Sequence, residues 1–112
     1  MPWQDLDVEV TFESTGAFNS LEGGSKLLDA GAKKVVITAP DSNCPNYVVG
    51  VKEGDYDPEN NVVVSNASCT TTCMAAACKV LDESIGVEYG LVTSSHSYTG
   101  FRMFWDGRPL PA

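Results

Sequence analysis

Lys33-Lys34 lead into Val35-Val36-Ile37-Thr38-Ala39, and Pro40 closes the run. A stretch this short and this rich in β-branched residues fits a strand buried on both faces, as in a parallel sheet covered by helices. Parallel neighbours cannot be joined by a tight turn, so the flanking chain must supply a crossover. Upstream, Val8, Val10 and Phe12 alternate with Glu9, Thr11 and Glu13, which predicts a strand over 7–15 with the apolar set on its buried face. Ser14-Thr15-Gly16 ends it. Between the two strands, Asn19 with Glu22 three residues on has the form of a capping box. Leu21, Leu28 and Ala30, followed by Gly31, complete a short helix that Gly23-Gly24 weaken. Strand, helix and strand make a βαβ unit, and the fold class is α/β.

Residues 41–46 read as a loop, 47–51 as a short strand, 54–61 as an acidic turn around Pro58, and 62–64 as a return to the sheet. The stretch 68–85 is rich in Ala, Met, Leu and Lys and is followed by Gly86, so it is the longest helix, with Asn66 or Ser68 as its cap. A last strand is expected over 87–93, with His96 just beyond its end.

A chain of 112 residues holds one small domain at most, or a piece of a larger one. Its 7 Lys plus Arg against 15 Asp plus Glu leave a net charge of −8, which argues against nucleic acid and acidic membranes as partners. The longest apolar runs are too short to span a bilayer, and a cytoplasmic location is expected. Of four cysteines, Cys69, Cys73 and Cys78 crowd into ten residues, so reduced thiols are expected rather than a disulfide framework. The alternating Glu53, Asp55, Asp57 and Glu59 lack the glycine and closing glutamate of a calcium loop and read as a solvated acidic turn. No G-x-G-x-x-G or Walker motif is present.

Chemistry concentrates around Cys69. In the first turn of a helix starting near Ser68, a thiol meets unpaired backbone N–H groups and the positive end of the helix dipole, both of which favour the thiolate. Taken alone, a cysteine is more often a small buried apolar residue. Ser68, Thr70, Thr71 and Thr72 shift the balance, because hydroxyls and exposed N–H groups together make an anion site. Cys73 lies one turn on and Cys78 on about the opposite face, so the three cannot share a metal; Cys73 and Cys78 read as core residues and no metal site is expected. His96 is the single histidine, placed where α/β proteins gather active groups, and could hold the thiol as a thiolate–imidazolium pair.

The run Ser65-Asn66-Ala67-Ser68-Cys69-Thr70-Thr71-Thr72-Cys73 closely resembles the active-site signature of phosphorylating glyceraldehyde-3-phosphate dehydrogenases. His96-Ser97-Tyr98-Thr99-Gly100 resembles that family's histidine segment. Glu13-Ser14-Thr15-Gly16-Ala17-Phe18, the run from Gly31 to Pro40 and Tyr47-Val48-Val49-Gly50-Val51 follow in the family's order, so the likeness covers about residues 2 to 100. Thr72 stands where the family usually has asparagine, and Phe101-Arg102-Met103-Phe104-Trp105 departs from its pattern.

The resemblance implies an internal piece of such an enzyme. A partial Rossmann-type parallel sheet at 1–66 would lead into the active-site helix and first strand of a catalytic domain at 67–112. It implies NAD- or NADP-dependent oxidation of D-glyceraldehyde 3-phosphate, with Cys69 as nucleophile, His96 as acid/base and inorganic phosphate releasing a thioester as an acyl phosphate. Ser68, Thr70 and Thr99 match positions that bind phosphate groups; Thr15, Gly16 and Thr38 match positions lining the dinucleotide site. The family's place in glucose metabolism and its homo-oligomeric state come with the likeness. Without a glycine-rich phosphate cradle, these 112 residues are expected to bind NAD weakly or not at all. The alternatives are a non-catalytic form acting through protein association and a related erythrose-4-phosphate dehydrogenase.

Overall fold

The computed structural model describes residues 3–97. Its centre is a three-stranded parallel sheet in the order β1 (Val10–Glu13), β2 (Lys34–Ile37) and β3 (Val63–Ser65). Helix α1 (Leu21–Asp29) makes the first crossover, and α2 (Cys69–Ile85) follows β3. The α/β reading, with a βαβ unit leading into the cysteine-bearing helix, matches this architecture.

Register decides which side chains form the core. Thr11 pairs with Val35 and Val35 with Val63; Glu13 pairs with Ile37 and Ile37 with Ser65. That face meets α1, and Val35, Ile37, Val63, Ala32 and Cys44 form its buried cluster. Burying each of the larger of these side chains contributes about 1.5–3 kcal/mol. The opposite face carries Val10, Phe12, Val36 and Val64, and Phe12 is 68% exposed while Glu13 on the core side is 4% exposed. The alternation in 7–15 therefore points the other way round from the sequence expectation, and the strand is shorter. In a parallel sheet both faces are apolar, so alternation along one strand does not say which of them α1 covers.

Helix α1 starts one residue later than the Asn19 capping box implies. Ser20 is extended, and its hydroxyl accepts the Gly23 N–H at 3.0 Å. The Leu21 N–H donates to the Asp41 carboxylate at 2.7 Å, so a residue from beyond β2 completes the cap. Gly23 and Gly24, expected only to weaken the helix, are buried where it touches its neighbours. A Cβ at Gly23 would stand 2.7 Å from the Phe18 backbone, and one at Gly24 would stand 2.6 Å from a Val63 methyl. Close approach of helix to sheet, rather than helix propensity, explains the pair.

Three further expectations change. Over 47–51 there is no strand: Asn46 alone bridges to Ser65, and the chain then turns as the Val51 and Lys52 N–H groups donate to the Val48 carbonyl, each at 3.0 Å. Residues 87–93 also form no strand, since a strand needs a paired neighbour and none of the described residues supplies one; Leu91 is fully exposed. Cys73 and Cys78 are exposed rather than core, because no residue of α2 is buried against the described chain. In the acidic turn, Asp57 accepts the N–H groups of Glu59 and Asn60 and the Asn60 side-chain amide. Its carboxylate is thus used to close its own turn.

Gly23→Ala should lower stability by roughly 1–3 kcal/mol despite alanine's better helix propensity, because the Phe18 backbone cannot yield to a methyl group. Thermal unfolding of the variant beside the unaltered chain measures it, and an unchanged midpoint would refute the packing argument. Asp41 is held below its ordinary pKa of 3.8, chiefly by the Asn43 N–H, with desolvation opposing and the Leu21 N–H adding a smaller lowering effect. A lowered folded-state pKa gives stability that is present above the ordinary value and lost as pH falls through the folded one. Asp41→Asn should therefore flatten the acid limb of the stability–pH curve below about pH 4, as read by urea unfolding.

Candidate active site

The site is built on the chain that leaves β3. Ser65 is fully buried; its hydroxyl donates to the Ala39 carbonyl at 2.7 Å and accepts the Ala67 N–H at 3.0 Å. The Asn66 N–H donates to the Ile37 carbonyl at 2.8 Å. Ala67, buried and with φ of 57°, turns the backbone through the left-handed region that a non-glycine residue rarely occupies. Ser68 then caps α2, its hydroxyl accepting the Thr71 N–H at 3.0 Å and lying 2.8 Å from the Thr71 hydroxyl. Cys69 is consequently the first residue of a seventeen-residue helix, at the carboxyl edge of the sheet.

Cys69 Sγ lies 3.2 Å from His96 Nε2, twenty-seven residues on. His96 Nδ1 is 2.6 Å from the Ser97 carbonyl oxygen, which can only accept, so Nδ1 carries a proton and Nε2 is left to face the sulfur. A proton on the thiol then has an acceptor, and a thiolate has a donor once the ring is charged. The Cys69 thiol is held below its ordinary pKa, first by the His96 hydrogen bond and next by the Thr70 hydroxyl. Desolvation opposes this, and the Thr70 N–H and the His96 charge add smaller lowering effects. A cleft of about 420 Å³ opens beside the pair, lined by Cys69, Thr70, Cys73, Met74, His96 and residues 92–95.

Cys44 is the contrast. Buried under the sheet's end and next to the Asp41 carboxylate, its thiol is pushed up to about 11, mainly by desolvation.

A second polar group occupies the same edge of the sheet. Thr38, just beyond β2, donates its N–H to the Glu13 carbonyl at 2.9 Å and its hydroxyl to the same oxygen at 3.1 Å. Its hydroxyl also lies 3.1 Å from that of Ser14. Thr15 donates its N–H to the Glu13 carboxylate at 2.7 Å, its hydroxyl bonds the same oxygen, and Gly16 follows at φ of 81°. The structure thus brings Cys69 to His96 with Ser68 and Thr70 beside them, and Thr38 to the turn at Thr15–Gly16. No hydrogen bond among the described residues joins the two groups, and Thr99 lies outside the described residues. Sequence reasoning passed over Glu13 and Asp41. Alternation placed Glu13 on the outer face, and nothing local signals that Asp41 caps a helix twenty residues upstream.

No helix among the described residues is long and apolar enough to cross a membrane. A family model described as "Glyceraldehyde 3-phosphate dehydrogenase, C-terminal domain" matches residues 68–109. The chain is 48% identical over 108 residues to the glyceraldehyde-3-phosphate dehydrogenase of Chlamydia muridarum (strain MoPn / Nigg), covering 96% of this chain and 32% of that relative. It is 49% identical over 107 residues to glyceraldehyde-3-phosphate dehydrogenase 1 of Saccharomyces cerevisiae, with the same two coverages. To glyceraldehyde-3-phosphate dehydrogenase B, chloroplastic, of Pisum sativum it is 47% identical over 108 residues, covering 95% of this chain and 24% of that relative. The chain therefore spans about a third, or less, of the length of the curated relatives it matches.

Limiting iodoacetamide at neutral pH should label Cys69 first and Cys44 last, as read by peptide mapping, and first labelling elsewhere would remove Cys69 from its role. His96→Asn should slow alkylation of Cys69 by roughly tenfold at pH 7, since an unassisted thiol is only a few per cent ionised there.

Proposed function

We propose that this chain, which belongs to the glyceraldehyde-3-phosphate dehydrogenase family, carries the nucleophile and the acid/base of a phosphorylating, NAD(P)-dependent aldehyde oxidation. The observation that carries the reading is the 3.2 Å contact between Cys69 Sγ and His96 Nε2 at the start of α2. The thiol proton passes to Nε2, the thiolate adds to the aldehyde carbon of D-glyceraldehyde 3-phosphate, and Nε2 returns the proton to the former carbonyl oxygen to give a hemithioacetal. His96 then takes the proton of the hemithioacetal oxygen as that carbon is oxidised. When bound, the nicotinamide of NAD or NADP supplies the hydride acceptor for that oxidation. Inorganic phosphate attacks the Cys69 thioester, an acyl phosphate leaves, and the thiolate is restored. Ser68 and Thr70 at the helix start, with Thr99 beyond the described residues, are the groups proposed to hold phosphate.

For the dinucleotide, the carboxyl edge of a parallel sheet is the fitting place, and Thr15, Gly16 and Thr38 lie there. The N-terminus of α1 does not fit a pyrophosphate, because Asp41 and the Ser20 hydroxyl already take its N–H groups. The residues present thus suit the nicotinamide end of the cofactor. The start of the family-model match at Ser68 supports a domain boundary near 66–67. Glycolytic function, a cytoplasmic location and a homo-oligomeric assembly without nucleic-acid or membrane partners complete the reading. A second reading, association without catalysis, is favoured by the uncovered apolar face of Val10 and Phe12.

Cys69→Ser should cut phosphate-dependent oxidation of glyceraldehyde 3-phosphate by about 10³-fold or more, because a serine hydroxyl is not ionised at neutral pH. Assay of NADH formation in the protein carrying this segment, with erythrose 4-phosphate as the competing aldehyde, makes the measurement. Retained activity in the serine variant would refute the nucleophile, and faster turnover of erythrose 4-phosphate would reassign the substrate.

A further inference from the structure

We infer that Glu13 is a positioning residue for the dinucleotide edge, its side chain holding the Thr15–Gly16 turn while its carbonyl holds Thr38; this rests on the cofactor reading above. A carboxylate that is 96% withdrawn from solvent costs several kcal/mol unless hydrogen bonds replace its water. Its partners here are not an ion pair in the core but the N–H and hydroxyl of Thr15, two residues on. The Thr15 hydroxyl in turn accepts the Ala17 N–H at 3.1 Å. Among the described residues, no backbone–backbone hydrogen bond holds 14–17, so the Glu13 carboxylate is what gives this turn its shape.

The same residue reaches the neighbouring strand end. Its carbonyl oxygen accepts both the N–H and the hydroxyl of Thr38. The two segments proposed to face the cofactor are therefore tied to one another through Glu13. A limit on ligand chemistry follows at Thr15. Its single hydroxyl proton is given to Glu13, and one of its two lone pairs takes the Ala17 N–H. What the hydroxyl can offer a ligand is one acceptor lone pair. Such a group receives a ribose hydroxyl or a carboxamide N–H and is unsuited to phosphate oxygen, which agrees with the nicotinamide half rather than the pyrophosphate at this edge.

The test uses the protein carrying this segment, with NAD as probe, followed through the backbone amide signals of 14–17 and 38, which report binding down to millimolar affinity. Glu13→Gln keeps an acceptor oxygen and should bind NAD within about threefold of the unaltered chain; Glu13→Ala should bind roughly tenfold more weakly. In the alanine variant, amide exchange at Thr15 should quicken by roughly tenfold while Val35 and Ile37 stay protected and the alkylation rate of Cys69 stays unchanged. Glu13→Ala binding NAD as well as the unaltered chain would overturn the inference. So would loss of protection at Val35 and Ile37 together with binding, which would make Glu13 a fold residue only. Failure of the unaltered chain to shift any of these signals with NAD would instead overturn the cofactor reading, and the inference built on it.

Discussion

The placement of Cys69 hangs on the corner from Ser65 to Ser68. A parallel sheet delivers all its strand ends to one edge, but it does not determine where the following chain goes. Here the Asn66 N–H takes the last free carbonyl of β2, the buried Ser65 hydroxyl bridges Ala39 to Ala67, and Ala67 accepts a left-handed φ. That conformation costs an alanine about 1 kcal/mol. Three hydrogen bonds around it over-determine the turn. The result is that α2 begins at the sheet edge, with Ser68 closing its first turn and Cys69 at the end where the backbone is electron-poor.

The electrostatics of Cys69 and Cys44 follow from position rather than from type. Cys69 has donors on several sides and little burial, and Cys44 has burial and a carboxylate neighbour; the two are displaced in opposite directions. Cys73 lines the same cleft as Cys69. Selectivity among chemically identical side chains thus comes from one imidazole, one threonine and the helix start.

How much of this was legible in the sequence depended on how local the cause was. The β-branched run marked β2, and Gly86 with Ser68, one of two candidate caps beside Asn66, marked the ends of α2, because caps and strand propensity act within a few residues. The pairing of Cys69 with His96 was a hypothesis the residues suggested, and the fold brings the two to hydrogen-bond distance. What was not legible depends on remote partners. The face on which Glu13 lies is set by the register with Ile37, the value of Gly23-Gly24 by the Phe18 backbone and Val63, and the absence of a strand at 87–93 by the lack of a paired neighbour. The stretch 47–51 likewise reads as a strand, but the Tyr47 hydroxyl accepts the Asn61 side-chain amide, its ring meets Tyr56 edge-on at 5.6 Å, and the chain turns at Val48.

The carboxylate of Asp41 on the first turn of α1 ties the order of folding to the topology. A helix of nine residues is too short to persist alone in water, and its first N–H finds its partner only twenty residues later, beyond β2. Until β2 has docked beside β1, α1 has neither its far cap nor the Val63 and Ile37 side chains that Gly24 lies against. The first turn of the crossover helix is therefore completed only by chain that has already passed through β2, so the helix end and the strand order are fixed by the same contact.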